Sequence, residues 1–158
     1  VDRLEIAVTV RTGGSAFAWR WSSPDGALEG QGALRGGTAW GAHFAAVAEA
    51  LARIPKGREV EIAVRDATIV RAGVEWIPDW RAKAFKKKGG IAEVEHVIAA
   101  DAQVQARPEV RWVVGELTEG VRELAREAGA EIASPTAPIA AELAARTTTV
   151  HRSMSSAP

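Results

Sequence analysis

"VEIAVRDATIVRAGVEWIPDWRAKAFKKKGG", residues 60 to 90, changes its periodicity within one passage. With Glu59 before it, the opening is rich in β-branched and aliphatic residues and stops at Asp66, as a strand does. From Ala67 to about Lys88 apolar positions recur at helical spacing, interrupted at Gly73 and Pro78, so two short helices are expected in place of one. Trp76 and Trp80 lie four apart on that path, and Lys86, Lys87 and Lys88 then run into a glycine pair. A strand that feeds helices so directly points to an α/β arrangement.

The flanking sequence completes it. "LEIAVTVR" (Leu4 to Arg11) reads as a strand ending in a glycine turn, and "AFAWRWSS" (Ala16 to Ser23) alternates Phe17, Trp19 and Trp21 on one face. After the turn "PDGA", the segment Ala27 to Arg35 is a third strand, weakened by its glycines. Then the period changes. Trp40, Phe44, Val47, Ala48 and Leu51 fall at helical spacing, with Thr38 as N-cap and Pro55 and Gly57 as the stop. Ile91 to Ala106 is another amphipathic helix, Glu109 to Gly115 a strand, and Glu119 to Ile132 a last helix. This order predicts an α/β fold with a five-stranded mixed sheet flanked by helices: an antiparallel meander of the first three strands, with the later strands parallel through right-handed crossovers. Ligands of such sheets sit at the carboxyl ends of strands, which here carry Arg11, Asp66 and Glu116. Residues 1–133 are read as the domain and 134–158, rich in Ala, Ser, Thr and Pro, as a flexible tail with room for one short helix.

The chain of 158 residues is 47% hydrophobic and has no cysteine, which removes disulfides, thiolate nucleophiles and cysteine-based metal sites. Twenty basic residues balance twenty acidic ones, so any affinity for a polyanion must come from local clustering. No apolar run is long enough to span a bilayer, and "VDRLEIAV" lacks the design of a signal peptide, so a cytoplasmic location is expected. "RTGGSA" lacks the lysine of a phosphate loop and reads as a hairpin turn. His43, His96 and His151 have no metal-ligand spacing.

Six strings in this order resemble the type 1 ribonuclease H family over roughly Leu4 to Ile132. "AHFAAVAEAL" (42–51) stands where that family has the helix after its third strand, and "RDATIVRAGV" (65–74) stands after the fourth strand. "WIPDWRAKAFKKKGG" matches its tryptophan helix and basic protrusion of the type W-I-x-x-W-K-K. "EVEHV" (93–97), "VRWVVGE" and "VRELAREAG" match its next helix, final strand and final helix.

Active members cut the RNA strand of an RNA/DNA hybrid with two divalent cations held by four carboxylates, because hard cations need several oxygen ligands. The resemblance implies that only Asp66 is retained. The first strand end offers Thr9, Arg11 and Thr12; the helix glutamate position falls on His43, the last-helix aspartate on Arg122, and the loop histidine on Glu116. Glu49, the nearest acid on the first helix, lies about 120° off that face. Asp66 is open to two roles that are compatible: an ion pair with Arg122 in place of metal, and an N-cap of the helix beginning at Ala67. Glu116 and Glu119 with Asp66 could form a non-standard one-metal site, although glutamates at a helix start more commonly compensate the dipole. His43 is open as a general base or as a packed residue.

In the resembled family the protrusion and its tryptophans hold the DNA strand. That carries Trp80, Arg81, Lys83, Lys86, Lys87 and Lys88 over as contacts, while Trp76 and Trp80 also fit a core. The polar stretch that reads the RNA strand is replaced by "GGTAW" (36–40). The leading expectation is a catalytically degenerate ribonuclease H-like module that binds RNA/DNA hybrid or duplex RNA, with no cofactor. The alternatives are an active hydrolase with a rearranged site, using Mg2+ or Mn2+, and a protein-interaction module that docks a partner.

Overall fold

The computed structural model describes residues 1–11, 14–133 and 148–151. Asp2–Arg11 (β1), Gly14–Ser22 (β2) and Leu28–Gly36 (β3) form the expected antiparallel meander. Its register puts Leu4 opposite Trp21, Ile6 opposite Trp19 and Val8 opposite Phe17, so one face of the meander carries the large side chains. The helix α1 (Ala39–Arg53) lies on that face, where Trp19, Trp21, Phe17, Phe44, Val47 and Leu51 are buried.

The opposite face is not solvated, as the alternation of β2 alone would have it. Ala7, Ala16, Ala18 and Ala33 are buried there beneath the last helix, α5 (Glu119–Ala133), through Val121, Ala125 and Ala128. Short side chains on both sides let this helix lie close to the sheet. Both faces of β2 are therefore covered.

Val60–Val64 (β4) pairs parallel to β1, and Val110–Val114 (β5) parallel to β4. The first five strands thus run in the order β5-β4-β1-β2-β3, the mixed sheet expected from the sequence. A sixth strand, Thr148–His151 (β6), adds antiparallel to β3. It lies inside the segment read as a flexible tail; the rest of that segment is outside the described residues. Among the described residues no helix is long and apolar enough to cross a membrane.

Gly73 and Pro78 do not split their helix. Ala67–Arg71 (α2) passes through a π-turn, Ala72–Trp76, directly into Ile77–Ala82 (α3). The π-turn carries the Ile77 amide to the Ala72 carbonyl, five residues back, just before a proline that has no amide to donate. The helix ends at Ala82, not near Lys88, because Ala84 and Phe85 take left-handed backbone angles (φ 55° and 60°).

The helix α4 (Val94–Gln105) packs beside α1, and the residues flanking it hold both ends of α1. The Glu93 carboxylate sits at the N-terminus of α1, accepting from the Thr38 hydroxyl and crowding Gly37 and Gly41. At the other end the Arg107 guanidinium donates to the carbonyls of Leu51, Ile54 (2.7 Å) and Pro55 (3.0 Å). The two helices therefore run in the same direction, an arrangement in which their dipoles repel, and each side chain carries the sign that offsets one end of α1.

Glu49, off the cleft-facing side of α1 as expected, accepts a 3.0 Å hydrogen bond from the Trp19 indole. Burial pushes its carboxyl above the usual range, against the opposing pull of Trp19 and Arg53. A carboxyl with a raised folded-state pKa stabilises the fold fully at pH below its unfolded value, and that contribution is lost as pH rises through the folded value. Glu49→Gln keeps an oxygen for Trp19 and removes the ionisation. The variant is expected to gain melting temperature over the wild type between pH 4 and pH 7. Thermal melts at the two pH values check it, and a relative loss at pH 7 would contradict it.

Candidate nucleic-acid interface and the strand-edge cleft

β1 and β4 run parallel and end at the same edge of the sheet, where α1 begins and α5 crosses. The cleft there encloses about 400 Å3 and is lined by Val8 to Val10, Ala39, His43, Arg65, Asp66, Arg122 and Arg126, among others. His43, Asp66 and Arg122 thus line one cleft.

Their bonds differ from the expectation. Asp66 is exposed and caps α2, its Oδ1 accepting from the Thr68 amide at 2.9 Å. Arg122 does not pair with Asp66; it pairs with Glu119 at 2.9 Å, three residues back on the same helix, and its buried Nε has no hydrogen-bond partner among the described residues. A neighbour at helical spacing captures the guanidinium before a group across the cleft can. Of the two roles open to Asp66, the N-cap is the one formed.

His43 is buried, with Nδ1 2.6 Å from the Ala39 carbonyl, so Nδ1–H donates one turn back along α1. Burial pushes its pKa down, while the Ala39 bond and the nearby Asp66 carboxylate pull it up. The ring is therefore held as a neutral, packed group. Glu116 lies outside the cleft lining; its carboxylate is 90% exposed and 3.7 Å from Arg65. Glu119 is engaged by Arg122 and Arg126, which hold its carboxyl below the usual range, the Arg126 hydrogen bond contributing most. Among the described residues no three histidine, aspartate or glutamate side chains converge to hold a metal ion. One capping carboxylate, a tied imidazole and three guanidiniums are a poor donor set for a pair of hard cations.

The basic segment is also rearranged. Arg81 is spent on the buried Asp101 in a bidentate pair of 2.9 and 3.0 Å, and Lys83 pairs with Asp79 at 3.2 Å. Lys86, Lys87 and Lys88 lie exposed in the loop after α3, with no ion pair among the described residues. Of the six residues carried over as contacts, Trp80 and these three lysines remain available.

Beside that loop, Trp76 and Trp80 are half-buried and join Trp40 at the start of α1, with ring centroids 6.1 to 6.4 Å apart. Neither tryptophan is a simple core residue. The Trp40 indole donates to the Ala92 carbonyl at 2.9 Å, which ties the returning loop to α1. Trp40 fell on the apolar stripe of its helix in the sequence and could not be told from core; Glu93 gave no signal, since its docking depends on a left-handed backbone angle, φ 46°.

No protein-family model matches the sequence, and no curated protein is matched by it. Solved structures do match. LC11-RNase H1, in complex with RNA/DNA hybrid, superposes with a TM-score of 0.59 at 15% identity over 85% of this chain and all of that one. The N-terminal RNase H domain of a Mycobacterium tuberculosis protein gives 0.59 at 12% identity, over 81% of this chain and 98% of the other. The fold is that of ribonuclease H. RNase H1 of the halophilic archaeon Halobacterium salinarum gives 0.54 at 14% identity, over 84% and 96% of the two chains. On this ribonuclease H fold the cleft lies at the strand edge where ligands of open α/β sheets sit.

Proposed function

We propose that this chain is a ribonuclease H-fold module that binds RNA/DNA hybrid or another duplex nucleic acid through the Lys86 to Lys88 loop without cutting it by two-metal chemistry. One observation carries the binding: three consecutive exposed lysines with no ion-pair partner among the described residues, set beside half-buried tryptophan rings. Unpaired lysines neutralise phosphates and release counterions, whereas Arg81 and Lys83 would first have to give up their carboxylates. The complex of LC11-RNase H1 with RNA/DNA hybrid supports the choice of ligand class.

The lack of cleavage is supported by the donor set of the cleft, in which Asp66 serves as an N-cap and Arg122 and Arg126 bring fixed positive charge. The test is a cleavage assay on a labelled hybrid in Mg2+ and in Mn2+, with binding to the same hybrid measured alongside. Saturable binding with uncut substrate is expected, with Asp66→Asn indistinguishable from wild type in the assay. Cleavage that disappears in Asp66→Asn would restore the hydrolase reading.

A further inference from the structure

The three tryptophans do more than fill space under the basic loop. Trp40, Trp76, Trp80, Lys87, Gly90, Ile91 and Ala92 line a cup of about 430 Å3 that opens to solvent. Its rings come from the start of α1, from the end of the π-turn (Trp76) and from within α3 (Trp80), and its floor is the chain returning from Gly89 and Gly90, which turn at φ 84° and 80°. The Trp40 to Ala92 hydrogen bond, the edge contact of Trp40 with Phe44 (4.8 Å between centroids) and the mutual packing of the rings hold the cup open before any ligand arrives. Pre-formed apolar walls with few polar groups are what a flat ligand needs.

The charge at the rim decides what kind of ligand. Lys87 Nζ lies 6.0 Å from the Trp80 ring centroid, and outside the cup lining the Arg71 guanidinium, paired with Glu75 at 2.8 Å, lies 5.4 Å from that of Trp76. An incoming ammonium group would find the cation–π positions taken and meet like charge. A ring that carries a phosphate suits both features: the ring stacks on tryptophan and the phosphate pairs with Lys87, which has no carboxylate partner among the described residues. A base inside a duplex has both faces covered by its neighbours, whereas an unpaired nucleotide offers both of them to a tryptophan ring.

We propose that the Trp40, Trp76 and Trp80 cup, with Lys87 at its rim, is a subsite for one unpaired nucleotide next to a duplex. The assignment deepens the proposed nucleic-acid reading and rests on it. It makes the protein a binder of duplex ends, tails or junctions in preference to continuous duplex.

The test compares a blunt RNA/DNA hybrid with the same hybrid carrying a three-thymidine tail, by fluorescence anisotropy, while intrinsic tryptophan emission reports stacking. The tailed hybrid is expected to bind about tenfold tighter and to quench the emission. Trp40→Leu and Lys87→Glu are each expected to bring the affinity ratio close to one; Lys87 is exposed, so its variant reads the site even if Trp40→Leu disturbs the loop. Equal affinity for the two hybrids without quenching overturns the cup and leaves the duplex reading standing. Quenching by a free thymidine oligonucleotide without binding of the blunt hybrid supports the cup and overturns the duplex reading. Binding of neither at low salt overturns both.

Discussion

Replacing Lys86, Lys87 and Lys88 together with alanine is expected to cost roughly two orders of magnitude in affinity for an RNA/DNA hybrid at about 50 mM salt. The three side chains are exposed and have no ion-pair partner among the described residues, so their loss leaves no buried charge and breaks no internal ion pair. The fold should be untouched, apart from the Lys87 contact with Trp80. The stronger readout is the salt slope. Three phosphate contacts fewer make the log–log slope shallower by about 2.7, so raising salt from about 50 to about 200 mM should cost the wild type roughly 40-fold more affinity than the variant. Arg81→Ala is a useful contrast: it removes a positive charge of the same segment but frees the buried Asp101, so it should cost stability more than binding. A triple variant with unchanged affinity and slope would move the binding surface away from this loop.

The parts of the molecule that were legible in the sequence are those where one periodicity dominates. Alternation of Phe17, Trp19 and Trp21 set β2, helical spacing from Trp40 to Leu51 set α1, and the order of elements gave the mixed sheet. Alanine carries little such signal, so the second layer of core beneath α5 was not visible: Ala16 and Ala18 look the same in a solvated strand as in a covered one. The short β6 was masked by composition, although Thr148, Thr149 and Val150 form a β-branched run. The cleft was legible in position and partly in chemistry. Sequence placed His43, Asp66 and Arg122 around one edge, but competition among partners is a matter of ångströms: Asp66 chose the amide two residues on, and Arg122 the glutamate three residues back. The loop from Lys83 to Lys88 was misread as helix because nothing in its composition marks left-handed angles at Ala84 and Phe85; the usual glycine is absent there.

That same helical path sets up the second large effect. Gly73 reads in sequence as a helix interruption, and its role is steric. A Cβ at this position would lie 2.4 to 2.7 Å from three atoms of the Trp112 indole on β5. The ring is rigid and is itself packed toward Phe44, at 6.2 Å between centroids, so it has no free direction in which to yield. Overpacking of this kind costs about 3 kcal/mol. Alanine's better helix propensity returns about 1 kcal/mol, leaving Gly73→Ala destabilised by about 2 kcal/mol in urea or thermal unfolding. Gly57→Ala is the control, since its Cβ would meet nothing within 4 Å and its φ is not in the left-handed region; there the substitution should be neutral or slightly stabilising. A Gly73→Ala protein as stable as the wild type would mean that the helix can lift from the sheet at no cost. That lift would carry the π-turn with it, and with the turn Trp76, three residues on, whose ring forms one wall of the nucleotide cup. Tight packing at Gly73 therefore fixes where Trp76 stands relative to Trp40, and the variant should lose preference for a tailed hybrid along with stability.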